Sequence, residues 1–445
     1  MELKLQTGYK QILGMAMPIT LAMLVPQINF ITNNIFLGGL GEKELACAGI
    51  TGVFYLIFAV IGNGLNNGLQ ALIARRAGQD LPQEIGRLFY HGAWVALAVS
   101  SIGILITYTL APSILRMVIH DPVITEMAID FLSIRIWGLP LLYLYVMRNA
   151  LLVGTNQTKF LVWGTLSEAL ANIFFDYAFI YGKFGFPEIG FNGAAYASII
   201  AEGFGLLVIY IVIHINGMHK QFAFFKQARM DVSVLKLIMI QSSPLVIQYA
   251  ISIASWEYFY ILIEHHGARA LAISNTMRNI FGLFGIFSWA FASTTNTMVS
   301  NIIGQGRQNE VIPMIKRISG ISFLISLFIF LWLNIVPEWF LSFYGQGDDF
   351  INEAIPVVRV VSCALLLMSF ATVWLNAVTG TGNTVVNLTI ELITIIIYSV
   401  YCYIVLEYLK LPITWGWGSE WVYWISMLSM AYLYLRSGKW KNKKI

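Results

Sequence analysis

Five carboxyl groups sit inside otherwise apolar stretches of this 445-residue chain: Glu168, Asp176, Glu202, Glu257 and Glu391. A charged side chain at the centre of a bilayer costs about 2.5–3.5 kcal/mol on insertion scales, so it marks ion handling or pairing. Asp176 has the strongest case for ion handling. Asn172 precedes it by four residues and shares its helical face. Asn33 and Ser198 fall on two other expected helices at comparable depth. A carboxylate, two amides and a hydroxyl supply oxygens that can hold Na+ or surround a proton-binding carboxyl. The chemistry is reversible uptake of a monovalent cation.

The other charged and polar positions divide by spacing. Glu257 is expected to take part in coupling or substrate contact, or else to pair with Arg278. Glu202 lies one turn beyond Ser198 and is a further coupling or substrate candidate. Glu168 and Glu391 read as packed, paired acids, and Arg135, Arg278 and Arg359 are the intramembrane cations. Asn63, Asn66, Asn67 and Gln70 form one polar stripe, and Ser293, Asn296 and Ser300 another. Such stripes line a cavity or bond between helices. Pro26 lies two turns before Asn33 and removes a helical hydrogen bond, so it is the expected hinge. Trp415, Trp417, Trp421 and Trp424 resemble an interfacial belt; Trp256, Tyr258 and Tyr260 suit a cavity that attracts organic cations. The six histidines have no metal-ligand spacing, and Cys47, Cys363 and Cys402 read as packing residues.

The elements that must position these residues are membrane helices. Apolar residues make up 58% of the chain and charged residues 11%, far below the roughly 25% of soluble domains. Twelve long apolar stretches recur, near 10–37, 46–74, 88–111, 123–147, 160–182, 192–215, 237–263, 270–302, 317–336, 354–378, 384–409 and 413–435. They are too long and too continuous for barrel strands. Lys4 and Lys10 precede the first stretch without a small-residue cleavage site, so a retained helix is expected. With the N-terminus inside, nineteen Lys and Arg fall on the inner side, Arg148, Lys226, Arg229 and Lys444 among them, and five on the outer side. Both termini are therefore expected in the cytoplasm of a multi-pass inner-membrane protein. The net charge of +4 reflects this topology and anionic lipid, not nucleic acid.

The chain also matches itself at one constant offset. Pro18 meets Pro244, Gly41 meets Gly267, Gly78-Gln79 meets Gly304-Gln305, and Gly154-Thr155 meets Gly380-Thr381. Two six-helix repeats, 1–225 and 226–445, follow, joined by a basic inner loop. Gly78 and Gly304 are expected to end helices 2 and 8 with left-handed caps. The coupling residues do not repeat. At the same offset, the counterparts of Asn33, Asn172, Asp176 and Ser198 are Phe259, Tyr398, Cys402 and Trp424, none a carboxylate. The main coupling site is accordingly expected in the first half.

These landmarks resemble the multidrug and toxic compound extrusion (MATE) family. The resembling segments are Phe36-Leu37-Gly38-Gly39-Leu40-Gly41 with Leu45-Ala46, Ala74-Arg75-Arg76-Ala77-Gly78-Gln79, and Gly304-Gln305-Gly306. Asn172-Ile173-Phe174-Phe175-Asp176 leading to Gly193-Ala194-Ala195-Tyr196-Ala197-Ser198 is the most specific. The resemblance covers nearly the whole chain. It implies an all-α protein of twelve helices in two lobes around a V-shaped cavity, exporting organic, often cationic, compounds by alternating access in exchange for H+ or Na+. It is similar to the DinF-like branch, where residues matching Asp176 and Asn172 form a cation site. Ser198 stands where that branch often has Thr, and Asn33 where it usually has Asp; an amide cannot carry a proton.

The expected partners are a small organic substrate, a coupling cation and the bilayer; no cofactor and no metal beyond Na+ at Asp176 is expected, and the chain is expected to be monomeric. The alternative is a lipid-linked oligosaccharide flippase of the same superfold, favoured by Arg135, Arg278 and Arg359. An enzyme is disfavoured, because no zinc-ligand helix, Gly-x-Ser-x-Gly elbow or phosphate loop is present.

Overall fold

The computed structural model describes residues 2–224, 230–345 and 347–443. The expected repeat boundary at 225/226, and Lys226, Arg229 and Lys444, lie outside the described residues. Among those described, every regular element is helical.

Among the described residues, twelve long helices follow one another. In the first half they are α1 (Tyr9–Gly38), α2 (Glu42–Gly78), α3 (Pro82–Val118), α4 (Pro122–Gly154), α5 (Leu161–Tyr181) and α6 (Phe191–Ile215). In the second they are α7 (Val232–Glu264), α8 (Ala268–Gly304), α9 (Val311–Ile335), α10 (Asp348–Gly380), α11 (Thr384–Tyr408) and α12 (Ser419–Arg436). The α5 helix, with 21 residues, is about 32 Å long at 1.5 Å per residue, enough for a bilayer core, and α12, the shortest with 18, is about 27 Å. Among the described residues, nine of the twelve are both long and apolar enough to cross a membrane. Large apolar side chains such as Leu21, Ile35, Leu105 and Phe328 are exposed, as lipid-facing residues are.

Local chemistry sets the helix ends. Pro82 and Pro122 open α3 and α4, where a missing N–H costs nothing. Asp121 caps α4 by accepting from the Val123 and Ile124 amides at 2.8 and 3.4 Å. The left-handed residues after α2 and α8 correct one expectation. Gly78 and Gly304 are still helical; the positive φ falls two residues later, at Asp80 (60°) and Gly306 (77°). These two are themselves counterparts in the repeat. The turn after α4 uses Asn156 (φ 62°), and the turn after α10 uses its counterpart Gly382 (φ 88°).

The repeat extends to packing. A Cβ on Gly154 would stand 3.2 Å from the Gln70 carbonyl oxygen; a Cβ on Gly380 would stand 2.6 Å from that of Asn296. Both members of the second contact are the repeat counterparts of the first, so the same bare backbone contact closes α4 on α2 and α10 on α8.

The chain forms two compact units. One comprises Met17–Ser242, the other Met1–Ala16 with Ser243–Ile445. The breaks fall inside α1 and α7, at equivalent points of the two repeats, each just ahead of a proline (Pro18, Pro244). Within the second unit, the segment before α1 is held by α8 and α9. The Leu5 amide donates to Asn301 Oδ1 (3.0 Å), Asn301 Nδ2 donates to the Leu3 carbonyl (2.9 Å), and Arg317 donates to the Thr7 carbonyl (3.0 Å). In the first unit, the segment before α7 is held by α3. Arg87 pairs with Asp231, and the Asp231 amide donates to His91 Nε2 at 2.9 Å. Asp231 is the counterpart of Leu5, and His91 of Arg317.

Candidate functional site: a buried carboxylate in the first unit

Residues 168, 172 and 176 recur every four positions, so α5 carries Glu168, Asn172 and Asp176 on one face. Asp176 is 0% exposed and Asn172 is buried beside it. The α1 helix runs unbroken through Pro18 and Pro26 and brings Asn33 to the same place. With its side-chain amide turned so that the nitrogen faces the carboxylate, the orientation that satisfies both groups, Asn33 donates to Asp176 Oδ2 at 2.5 Å and to the Asn29 carbonyl at 3.3 Å. Three buried polar atoms here have no hydrogen-bond partner: Asp176 Oδ1, Asn29 Oδ1 and Asn172 Nδ2. A buried polar atom without a partner costs roughly 1–3 kcal/mol, more if charged. Asn29 was not singled out from the sequence, although it lies one turn before Asn33. Ser198, on α6, is half-buried and makes no hydrogen bond to this group among the described residues.

Glu202, the further coupling or substrate candidate, is tied to a basic residue. It forms a two-pronged ion pair with Arg135: Nη1 meets Oε2 at 3.1 Å and Nη2 bonds Oε1. Both side chains are largely buried, and the guanidinium lies 4.1 Å from the Tyr55 ring centroid. The backbone makes room for this pair. The α4 helix tightens to a 3-10 turn at Ile136–Gly138, just before Pro140, and a side chain on Gly138 would strike both charged groups. Arg135 is thus neutralised within the protein, which removes one of the three cations that favoured an anionic substrate.

Arg148, one of the basic residues expected on the inner side, lies within α4 and is 1% exposed. Its guanidinium stacks 3.7 Å from the Tyr145 ring centroid and donates through Nε to the Tyr145 carbonyl; Nη1 and Nη2 have no hydrogen-bond partner. Gly164, one turn before Glu168, leaves the space it occupies. In the first unit Arg135 and Arg148 lie near the acids Glu168 and Glu202, and Arg75 is a further buried cation. Among the described residues, no Lys, Arg or His lies within salt-bridge distance of Asp176.

The remaining positions are scattered. Asn63 is exposed and Asn67 half-buried, but Gln70 and Asn296, expected to line a cavity, are fully buried under the glycine contacts described above. In the second unit Glu257 is exposed, and no salt bridge joins it to Arg278 among the described residues. Glu391 is packed, but its partners are neutral: Ser252, Gln248 and Tyr423. The tryptophan belt shrinks to Trp415 and Trp421, since Trp417 and Trp424 are buried and donate to Ser274 and Glu420.

The MatE family model matches residues 18–178 and again 244–404, two stretches that start at the repeated prolines Pro18 and Pro244. This chain belongs to the MATE family. Membership makes it a membrane transporter and not an enzyme. Among curated relatives, a probable multidrug resistance protein NorM from Thermotoga maritima is 22% identical over 449 residues, covering 98% of this chain and 94% of its own. A protein of the same name from Synechocystis is 22% identical over 387 residues, covering 82% and 81%. A MOP superfamily transporter from Pyrococcus furiosus Vc1 superposes with a TM-score of 0.89 at 18% identity, covering 99% of this chain and 98% of that one. The twelve-helix, two-repeat architecture is therefore that of solved MATE transporters.

Proposed function

We propose that this MATE protein is a secondary antiporter that exports small organic, often cationic, compounds in exchange for H+ or Na+ by alternating access. One observation carries the reading. Asp176 is a fully buried carboxylate, held at one oxygen by an amide, open at the other and lacking a salt bridge. Such a group inside a membrane protein is stable when a proton or a small cation neutralises it, and less so when it does not. That difference is what coupling requires. The donor types allow either ion: Asp176 Oδ1, with amide oxygens of α1 and α5 as further donors, for Na+, or Asp176 alone for a proton. Asn33 cannot titrate, so the first unit exchanges one ion per cycle.

Neutralising Asp176 weakens its hold on the Asn33 amide. Because Asn33 sits two turns from Pro26 on α1, that change biases a bend at Pro26 and reshapes the first unit. The names of the NorM relatives support organic drugs or metabolites as substrates. The Asn172/Asp176 pattern supports a DinF-like placement, and the Lys and Arg bias supports an inner-membrane protein with cytoplasmic termini. It works as a monomer, with no cofactor besides the coupling ion. The test is accumulation of a fluorescent organic cation in an efflux-deficient host, with Na+ and pH varied separately. Wild type should lower accumulation and Asp176→Asn should not; equal efflux by the variant sinks the proposal.

A further inference from the structure

An open groove of about 510 Å³ lies in the second unit between α9, α10 and α12. Lys316, Ser319 and Gly320 of α9 form one wall, Trp374 of α10 the floor, and Leu428 and Tyr432 of α12 the other wall. The Trp374 and Tyr432 rings meet at 5.1 Å. Further along, the Phe370 ring of α10 meets that of Phe323 on α9, also at 5.1 Å. The lining is thus mostly aromatic and aliphatic, with a single cation at one end.

That end lies close to one face of the membrane. With each long helix crossing once, the start of α9 and the ends of α10 and α12 share a face. Lys316 stands five residues from the start of α9, Trp374 six from the end of α10, and Tyr432 four from the end of α12. At 1.5 Å per residue these are roughly 6–9 Å, the depth at which lipid headgroup gives way to acyl chain.

Charge and hydrogen bonding there are one-sided. Lys316 is exposed, as is Arg436, one turn beyond Tyr432 on α12, and neither makes a salt bridge among the described residues. The α9 helix contains no acid, and those of α10 and α12 (Asp348, Asp349, Glu353 and Glu420) stand at the opposite ends. Glu310, just before α9, is taken by Arg307 at 2.6 Å. The Ser319 hydroxyl, one turn from Lys316 and 2% exposed, meets no hydrogen-bond partner. An acceptor in the groove would relieve that cost.

The first repeat does not build this place. The counterparts of Lys316, Ser319 and Gly320 are Tyr90, Ala93 and Trp94, and those of Trp374 and Leu428 are Arg148 and Glu202. Where the first half carries a tryptophan, the second leaves a glycine. Among the described residues, a Cβ on Gly320 would have nothing packed against it within 4 Å.

We infer that this groove holds one anionic phospholipid. Its phosphate sits at Lys316 and Arg436, an ester or phosphate oxygen accepts from Ser319, and one acyl chain runs over Gly320, Trp374, Leu428 and Phe370. A free phosphate lacks the chain that the groove takes, and a zwitterionic lipid lacks the net charge that two unpaired cations favour. The leaflet is the inner one on the orientation proposed above; the binding itself rests neither on that orientation nor on Asp176.

The test is native mass spectrometry of the purified full-length protein in detergent, with dioleoyl phosphatidylglycerol or dioleoyl phosphatidylcholine added. Wild type and Asp176→Asn should each retain one more phosphatidylglycerol than phosphatidylcholine, and glycerol phosphate should not displace it. Lys316→Ala should bind that lipid roughly fivefold more weakly, the effect of one basic residue at an anionic surface. Gly320→Trp, which restores the residue of the first repeat, should lose it, and Lys316→Ala serves if Gly320→Trp does not fold. The inference is overturned if wild type retains the two lipids equally, if Lys316→Ala or folded Gly320→Trp binds like wild type, if glycerol phosphate displaces the lipid, or if the protein is a dimer that retains none.

Discussion

The Asn33 amide donates to Asp176 Oδ2 while Asp176 Oδ1 meets no partner, so one buried carboxylate is held on one side and open on the other. The amide fixes the carboxyl without competing for the ion. A second acid at that position would instead share a proton with Asp176.

Asn33→Asp should therefore add a titrating group. Two neighbouring carboxyls cannot both ionise freely, so one retains its proton into the neutral range. Proton uptake by the purified protein across that range should rise by about one per molecule. Unchanged uptake would mean that residue 33 does not face Asp176 in the working protein.

The Arg135–Glu202 pair predicts a non-additive pattern. Removing one partner strands a buried charge, so Glu202→Gln or Arg135→Met should destabilise by about 3–5 kcal/mol. Removing both, in Arg135→Met/Glu202→Leu, should recover most of the loss. Thermal unfolding of the four proteins in one detergent measures the coupling. Additive losses would contradict the pairing.

Gly154 and Gly380 occupy equivalent contacts of unequal tightness. Alanine at 380 meets a carbonyl oxygen at 2.6 Å; alanine at 154 meets one at 3.2 Å and the Ile73 side chain at 2.8 Å. Backbone yields less readily than a side chain. Both substitutions should lower the unfolding temperature, Gly380→Ala more, within the roughly 1–3 kcal/mol of overpacked contacts.

Asp231 gives the clamp before α7 a defined pH range. The Ser233 hydroxyl and amide, with Arg87, hold its carboxyl down to about 2. A depressed carboxylate stabilises fully above its unfolded value, near 3.9, and that contribution is lost as pH falls toward 2. The stability difference between wild type and Asp231→Asn should stay constant from neutral pH down to about 5 and vanish near 2. A difference that grows on acidification would contradict the assignment.

The repeat was legible because glycines and prolines at helix ends answer to backbone geometry, which both halves share. The left-handed caps were misplaced by two residues, since Asp80 does in the first half what Gly306 does in the second. Asp176, Asn172 and Asn33 were legible because polar groups stand out in apolar helices. Their partners were not, because pairing depends on helix rotation. Arg135 and Glu202 are 67 residues apart in the chain, and Arg148 looks like a loop residue until α4 is seen to contain it. Glu420, a buried acid, was missed because it opens α12 and reads as an end-of-helix acid; only its place against Trp424 shows it buried.

The central claim is that Asp176 couples the ion to the substrate. The direct measurement is substrate-driven ion flux in proteoliposomes, with an imposed gradient of an exported organic cation and internal H+ and Na+ followed separately. Wild type should move one of the two ions against the substrate flow, and Asp176→Asn, reconstituted to the same density, should move neither. Ion flux in Asp176→Asn equal to that of wild type would contradict the account.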